Sequence, residues 1–362
     1  MKNQFPRRSV RHAAATVAVT ILVTAGLVAA ASAADNSYTV TNLVSDQAGV
    51  AAHTDTNLVN AWGLTSLPTS PWWVSDNGKD VSTLYAADGT KQTRTVNVPD
   101  APTGAVSNSH SSFVVTNAAM TASAPALFIF ATEEGQILGW NPNVAPNDAQ
   151  VAVPNTDGAV YKGLASASTT AGDFLYATDF HNGRVDVFDG SFHNVTPAGS
   201  FVDPHIPGGY APFGIQNVGG NLIVTYAKQD ADQHDDVAGQ GHGFVDMFDT
   251  SGALLGRVAT HGQLNSPWGI AMAPASFGTF GGDLLVGNFG DGEISAFEPQ
   301  HDGTFELVGQ LRTSDHKALS IDGLWALQFG KGTTANGPLT TLFFTAGPGG
   351  EQHGLFGTIT AG

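Results

Sequence analysis

Along the chain, apolar and polar positions alternate in short runs that end at Gly, Asp or Asn, the pattern of half-buried strands joined by tight turns. It is plainest after Pro267. Residues 269–273, 283–288, 292–297 and 305–311 are predicted strands, separated by Phe280-Gly281-Gly282, Phe289-Gly290-Asp291-Gly292 and His301-Asp302-Gly303. Residues 173–178 with 183–188, and 221–226 with 243–248, repeat the middle of that series.

The series recurs at a fixed spacing. An aromatic/Gly/aliphatic motif stands at Ala61-Trp62-Gly63-Leu64, Tyr161-Lys162-Gly163-Leu164, Pro212-Phe213-Gly214-Ile215, Pro267-Trp268-Gly269-Ile270 and Ile321-Asp322-Gly323-Leu324. Its glycines lie 100, 51, 55 and 54 residues apart, and the double interval places a degenerate member near Ser111-Ser112-Phe113-Val114. Six units of four antiparallel strands predict an all-β, six-bladed β-propeller. The sixth unit, with strands at 323–329, 339–345 and 354–359, lacks a fourth strand, and 38–44 is a strand to spare. Pairing the two closes the ring and removes an open edge.

Composition adds the compartment. Lys2, Arg7, Arg8 and Arg11 precede an apolar run that ends in Ala31-Ser32-Ala33, so 1–33 reads as a signal peptide and 34–362 as one propeller domain, secreted or periplasmic. The leader holds four of the 14 basic residues and no acid, which leaves a mature charge of −21. That field repels nucleic acid and anionic membranes and favours cations. No cysteine is present, so the fold uses no disulfide. The expectation is a monomer free of the membrane after cleavage, whose partner is a small molecule or an extracellular polymer.

The unit SPWGIAMAP…GGDLLVGNFGDGEISAFEPQHDG resembles the NHL repeat of six-bladed propellers. Through NLVSDQAGVAAHTDTNLVNAWGL, ATDFHNGRVDVFD, DDVAGQGHGFVDMFD and EQHGLFG, nearly the whole mature chain resembles a family of secreted bacterial propellers. The resemblance implies fold and export rather than an activity. Some members of that family carry a C-terminal sorting tail, whereas this sequence runs to Gly362 within the propeller, which favours release.

In such blades the loops between second and third strands meet the leading loops at one mouth of the channel. Asp76, Asn77, Glu133, Asn288 and Asp322 come from different blades and offer the oxygens a Ca²⁺-like divalent cation takes. Propellers similar to gluconolactonases hold an ion at this mouth, an architectural likeness. His181 with Asp179, or Glu134, is the candidate acid/base group, because imidazole titrates near neutrality. Together these suggest a metal-dependent hydrolase or lactonase. The alternative is a non-catalytic binding module for a protein or glycan. The loop 228–236 departs from an EF-hand, with Asp235 where the turn glycine belongs. Zinc spacing, a nucleophile elbow, and P-loop and Rossmann fingerprints are missing, so neither nucleotide nor haem is expected. Trp62, Phe213 and Trp268 recur with the motif and read as packing between blades, while Trp72, Trp73 and Trp140 lie outside it.

Overall fold

The computed structural model describes residues 35–362, so the leader expected at 1–33 lies outside the described residues. Six antiparallel sheets follow one another along the chain. Their innermost strands are Ala61–Thr65, Pro102–Ser107, Tyr161–Thr169, Tyr210–Val218, Pro267–Met272 and Leu324–Phe329. Each packs against the next, and the sixth returns to the first. The protein is a closed six-bladed propeller. Its closure is the one expected from the sequence: Tyr38–Ser45 pairs antiparallel with Leu355–Ala361 as the outer strand of blade 6. Tyr38 fixes the start of that strand, its hydroxyl donating to the Phe277 carbonyl at 3.2 Å.

Two details depart from the pattern read in the sequence. Blade 3 has three strands, Tyr161–Thr169, Gly172–Asp179 and Arg184–Asp189, and its outer position is reduced to one bridge, Phe188 to Asn194. The segment beyond contains Pro197, Pro204 and Pro207, which lack the N–H a ladder needs. The second repeat motif is also displaced. Val114–Thr116 belongs to a small hairpin with Ser123–Pro125, and the inner strand of blade 2 carries Thr103-Gly104 instead.

The true repeat is a β-bulge. All six inner strands gain one residue against their neighbour, between Ala61 and Leu64, Pro102 and Ala105, Tyr161 and Leu164, Pro212 and Ile215, Pro267 and Gly269, and Leu324 and Leu327. The bulged pairs are Trp62-Gly63, Thr103-Gly104, Lys162-Gly163, Phe213-Gly214, Trp268-Gly269 and Trp325-Ala326. In blade 6 the pair therefore lies after Gly323, not at Asp322-Gly323. In blades 1 to 5 glycine follows the bulged residue, because the next blade's backbone is too close for a Cβ. One added at Gly63 would meet the Thr103 carbonyl oxygen at 2.3 Å, and one at Gly214 would meet that of Trp268 at 2.2 Å.

The bulge decides where the first residue of each pair goes. Trp62 stacks on Trp325 with centroids 3.7 Å apart, while Trp268 meets Trp325 edge-on at 5.7 Å and Phe213 lies 5.9 Å from it. These four rings come from blades 1, 4, 5 and 6, so they fill the axis itself rather than the seams between blades. Beneath them the channel keeps only about 30 Å³ of free space.

Candidate functional site

Lys162 holds the position that aromatic rings hold in four other blades. Its side chain is almost wholly buried, and its ammonium lies 5.3 Å from the centroid of the Trp62 ring. A charge there requires partners. Glu133, from the second-to-third-strand loop of blade 2, accepts from Lys162 at 2.5 Å, and Asp235, from the long loop of blade 4, at 3.2 Å. Burial alone would lower the pKa of the ammonium, but Glu133 and Asp235 outweigh it and hold the value above that of a free lysine. Burial pushes the Asp235 carboxyl up, but Lys162 and His234 together outweigh it and hold it below its ordinary range.

A chain of amides extends this group around the mouth. Asn77 donates to Glu133 at 2.8 Å, and Asn60 donates to Asn77 at 3.0 Å and to Glu351 at 2.6 Å. The Trp325 indole N–H donates to the Asn60 carbonyl oxygen at 3.0 Å, tying the polar ring to the aromatic plug. Burial, with Glu133 nearby, pushes the Glu351 carboxyl above the usual range. Asp236 is likewise raised by burial, and one of its oxygens has no hydrogen-bond partner among the described residues. The mouth thus sets Glu133 and Asp235, both paired to the Lys162 ammonium, beside two carboxyls that burial pushes above their ordinary range.

Glu133, His234 and Asp235 each direct a ligand atom to one place, all within 4.8 Å of one another. Two carboxylate oxygens and an imidazole suit a divalent cation. The donors fit, with one condition: the Lys162 ammonium shares the same two carboxylates and must swing aside for an ion to enter.

Of the residues singled out in the sequence, Asn77 and Glu133 meet here, and the others do not join them. Asp76 is fully buried inside blade 1 beside Tyr85, Thr83 and Asp55. Asn288 is held in its own loop by Asp291 and the Gln263 carbonyl. Asp322 is exposed and accepts from the Gly349 N–H. Asp179 is occupied by Asn182, Arg184 and the Val160 N–H rather than by His181. The His181 ring has no hydrogen-bond partner among the described residues, and Glu134 is exposed. Lys162, Asp235 and Glu351 were not among the candidates drawn from the sequence. The signal was partial: in the repeat motif only Lys162 and Asp322 put a charge before the glycine, and the bulge in blade 6 falls after Asp322, which leaves Lys162 alone.

No family model matches the chain. Two proteins of Acanthamoeba polyphaga mimivirus do. Uncharacterized protein R648 is 32% identical over 337 residues, 89% of this chain and 80% of that protein. Uncharacterized protein L690 is 32% identical over 305 residues, 80% and 78% of the two chains. The chain belongs to the family of these mimivirus proteins. Among solved structures it is similar to a gluconolactonase from Xanthomonas campestris, at 14% identity, 84% and 87% coverage and a TM-score of 0.48. It is also similar to the calcium-binding protein regucalcin from Agrobacterium tumefaciens, at 12% identity, 84% and 92% coverage and a TM-score of 0.49. Likeness at that level speaks to no residue of the site.

Proposed function

We propose that this is an exported propeller that takes a small molecule, or the end of an extracellular polymer, at the Lys162 mouth. It acts there as a divalent-cation-dependent hydrolase or lactonase. The observation that carries the reading is the convergence of Glu133, His234 and Asp235 from two blades on one point. An ion there would supply a polarised carbonyl and an activated water. Glu351, whose carboxyl burial pushes above its ordinary range, would donate a proton to the leaving oxygen, and Asn77 and Asn60 keep Glu133 and Glu351 in register. Trp62 and Trp325 close the floor against water.

One observation favours a second reading, a binding module without chemistry. The Lys162 ammonium already neutralises Glu133 and Asp235. In that case the mouth recognises its ligand by hydrogen bonds alone. Metal analysis of the purified protein, with melting followed on addition of Ca²⁺ and Mn²⁺ and then a chelator, separates the two. One ion per chain with a chelator-reversible rise in melting temperature, lost in Glu133→Gln, supports the hydrolase and leads to a lactone and ester screen. No ion and no shift overturn it and leave the binding module.

A further inference from the structure

The opposite end of the channel has a different chemistry. There Thr65, Ser107, Ser166, Gln216 and Gln328 surround a hollow of about 170 Å³, with Lys331 at its edge. Lys331 donates its ammonium to the Ser66 carbonyl and has no carboxylate partner among the described residues. The side-chain amides of Gln216 and Gln328 likewise make no hydrogen bond among them. Gln216, Asn217 and Gln328 also line a neighbouring recess of about 570 Å³ at the ends of blades 4, 5 and 6. The recess is walled by Met247, Met272, Leu284, Phe305 and Phe329. Neither space is lined by an Asp or Glu, although the chain carries a net charge of −17.

We propose that this end binds a small organic carboxylate with an apolar body. An unneutralised ammonium beside two free amides matches a carboxylate head, which needs a cation and hydrogen-bond donors. The adjoining recess is within the size range of small-molecule sites and offers aromatic and thioether surface for the body. The same lack of acids that admits an anion here is reversed at the Lys162 mouth, so the two ends select ligands of opposite charge. The nearly closed channel between them keeps the sites separate.

Isothermal titration of the purified protein with 4-phenylbutyrate, its neutral amide 4-phenylbutyramide, and acetate tests this. The acid is expected to bind about tenfold more tightly than the amide or acetate, one charge-assisted contact and one buried ring being each worth a decade. Lys331→Gln should remove the preference for acid over amide, and Met272→Trp, which fills the recess from a partly exposed position, should weaken both. An unchanged urea midpoint shows that each variant is folded. Equal binding of acid and amide by the parent, or 4-phenylbutyrate binding that survives both substitutions, overturns the proposal. So does a failure of 4-phenylbutyrate to bind.

Discussion

The Lys162 ammonium sits 5.3 Å from the centre of the Trp62 ring, a charge placed on the rim of an aromatic plug. The pairing follows from the bulge that opens every blade. It sends one side chain per blade to the axis, and only blade 3 sends a charged one. Glu133 and Asp235 are the consequence, brought in by loops of blades 2 and 4 on either side.

Lys162→Met therefore strips two carboxylates of their cation at once. A loss of about 3 kcal/mol is expected at neutral pH, the scale for breaking a largely buried ion pair. The folded-state pKa of Lys162 lies above its ordinary 10.5, so its stabilisation is full below that pH and is lost only as pH rises through the folded value. Urea denaturation should show a deficit that is constant from pH 6 to 9. Divalent cations should restore stability to this variant more strongly than to the parent if Glu133, His234 and Asp235 take an ion.

The sequence revealed the strands, the six units and the closure, because alternation and turn residues are local. It misplaced two repeat motifs for a physical reason. The defining feature is a one-residue bulge, and Thr103-Gly104 and Trp325-Ala326 satisfy its geometry without the aromatic-glycine signature. The site was only half legible. Asn77 and Glu133 were found because mouth loops can be assigned from strand order. Asp76, the residue before Asn77, is the last of the wholly buried strand Trp72–Asp76, whereas Asn77 begins the short 3-10 turn of the mouth loop, a boundary one residue wide that the sequence pattern does not mark. The grouping of Lys162 with Asp235 depends on how a long loop folds back over the axis, which no periodicity records.

The backbone contact at the bulge has its own test. Gly214→Ala places a methyl 2.2 Å from the Trp268 carbonyl oxygen, where the next blade cannot retreat without opening the ring. Overpacking of this kind should destabilise by about 3 kcal/mol. Gly256→Ala is the control, since nothing lies within 4 Å of its Cβ position and its φ is ordinary. Thermal unfolding should show a marked fall for the first and a change within about 0.5 kcal/mol for the second.

Closure by the N-terminal strand makes stability depend on its inward face. Val44 is fully buried opposite Phe356, and Thr39 is exposed opposite Thr360. Val44→Asp should lower stability by about 3 kcal/mol or more, because a carboxyl in that seam lacks hydrogen-bond partners. Thr39→Asp should have little effect. Guanidinium unfolding of both variants checks the contrast, and equal effects would show that the strand does not hold the ring shut.

Asp76 gives a prediction that runs against habit: its removal should stabilise. The carboxyl is fully buried, neither oxygen has a hydrogen-bond partner by geometry among the described residues, and burial holds its pKa well above the ordinary 3.8. Thr83 and the distant Lys91 oppose that shift, and the charge of Asp55 adds to it. A raised folded-state value means that the stabilising contribution is full below about 3.8 and is lost as pH rises through the folded pKa. Asp76→Asn keeps the shape and never ionises. Its stability relative to the parent should be near zero difference at pH 4 and rise by about 1 kcal/mol or more by pH 8. Calcium titration of the same variant should give the parent's affinity if, as proposed, the donors are Glu133, His234 and Asp235; a weakened affinity would return Asp76 to the ligand set.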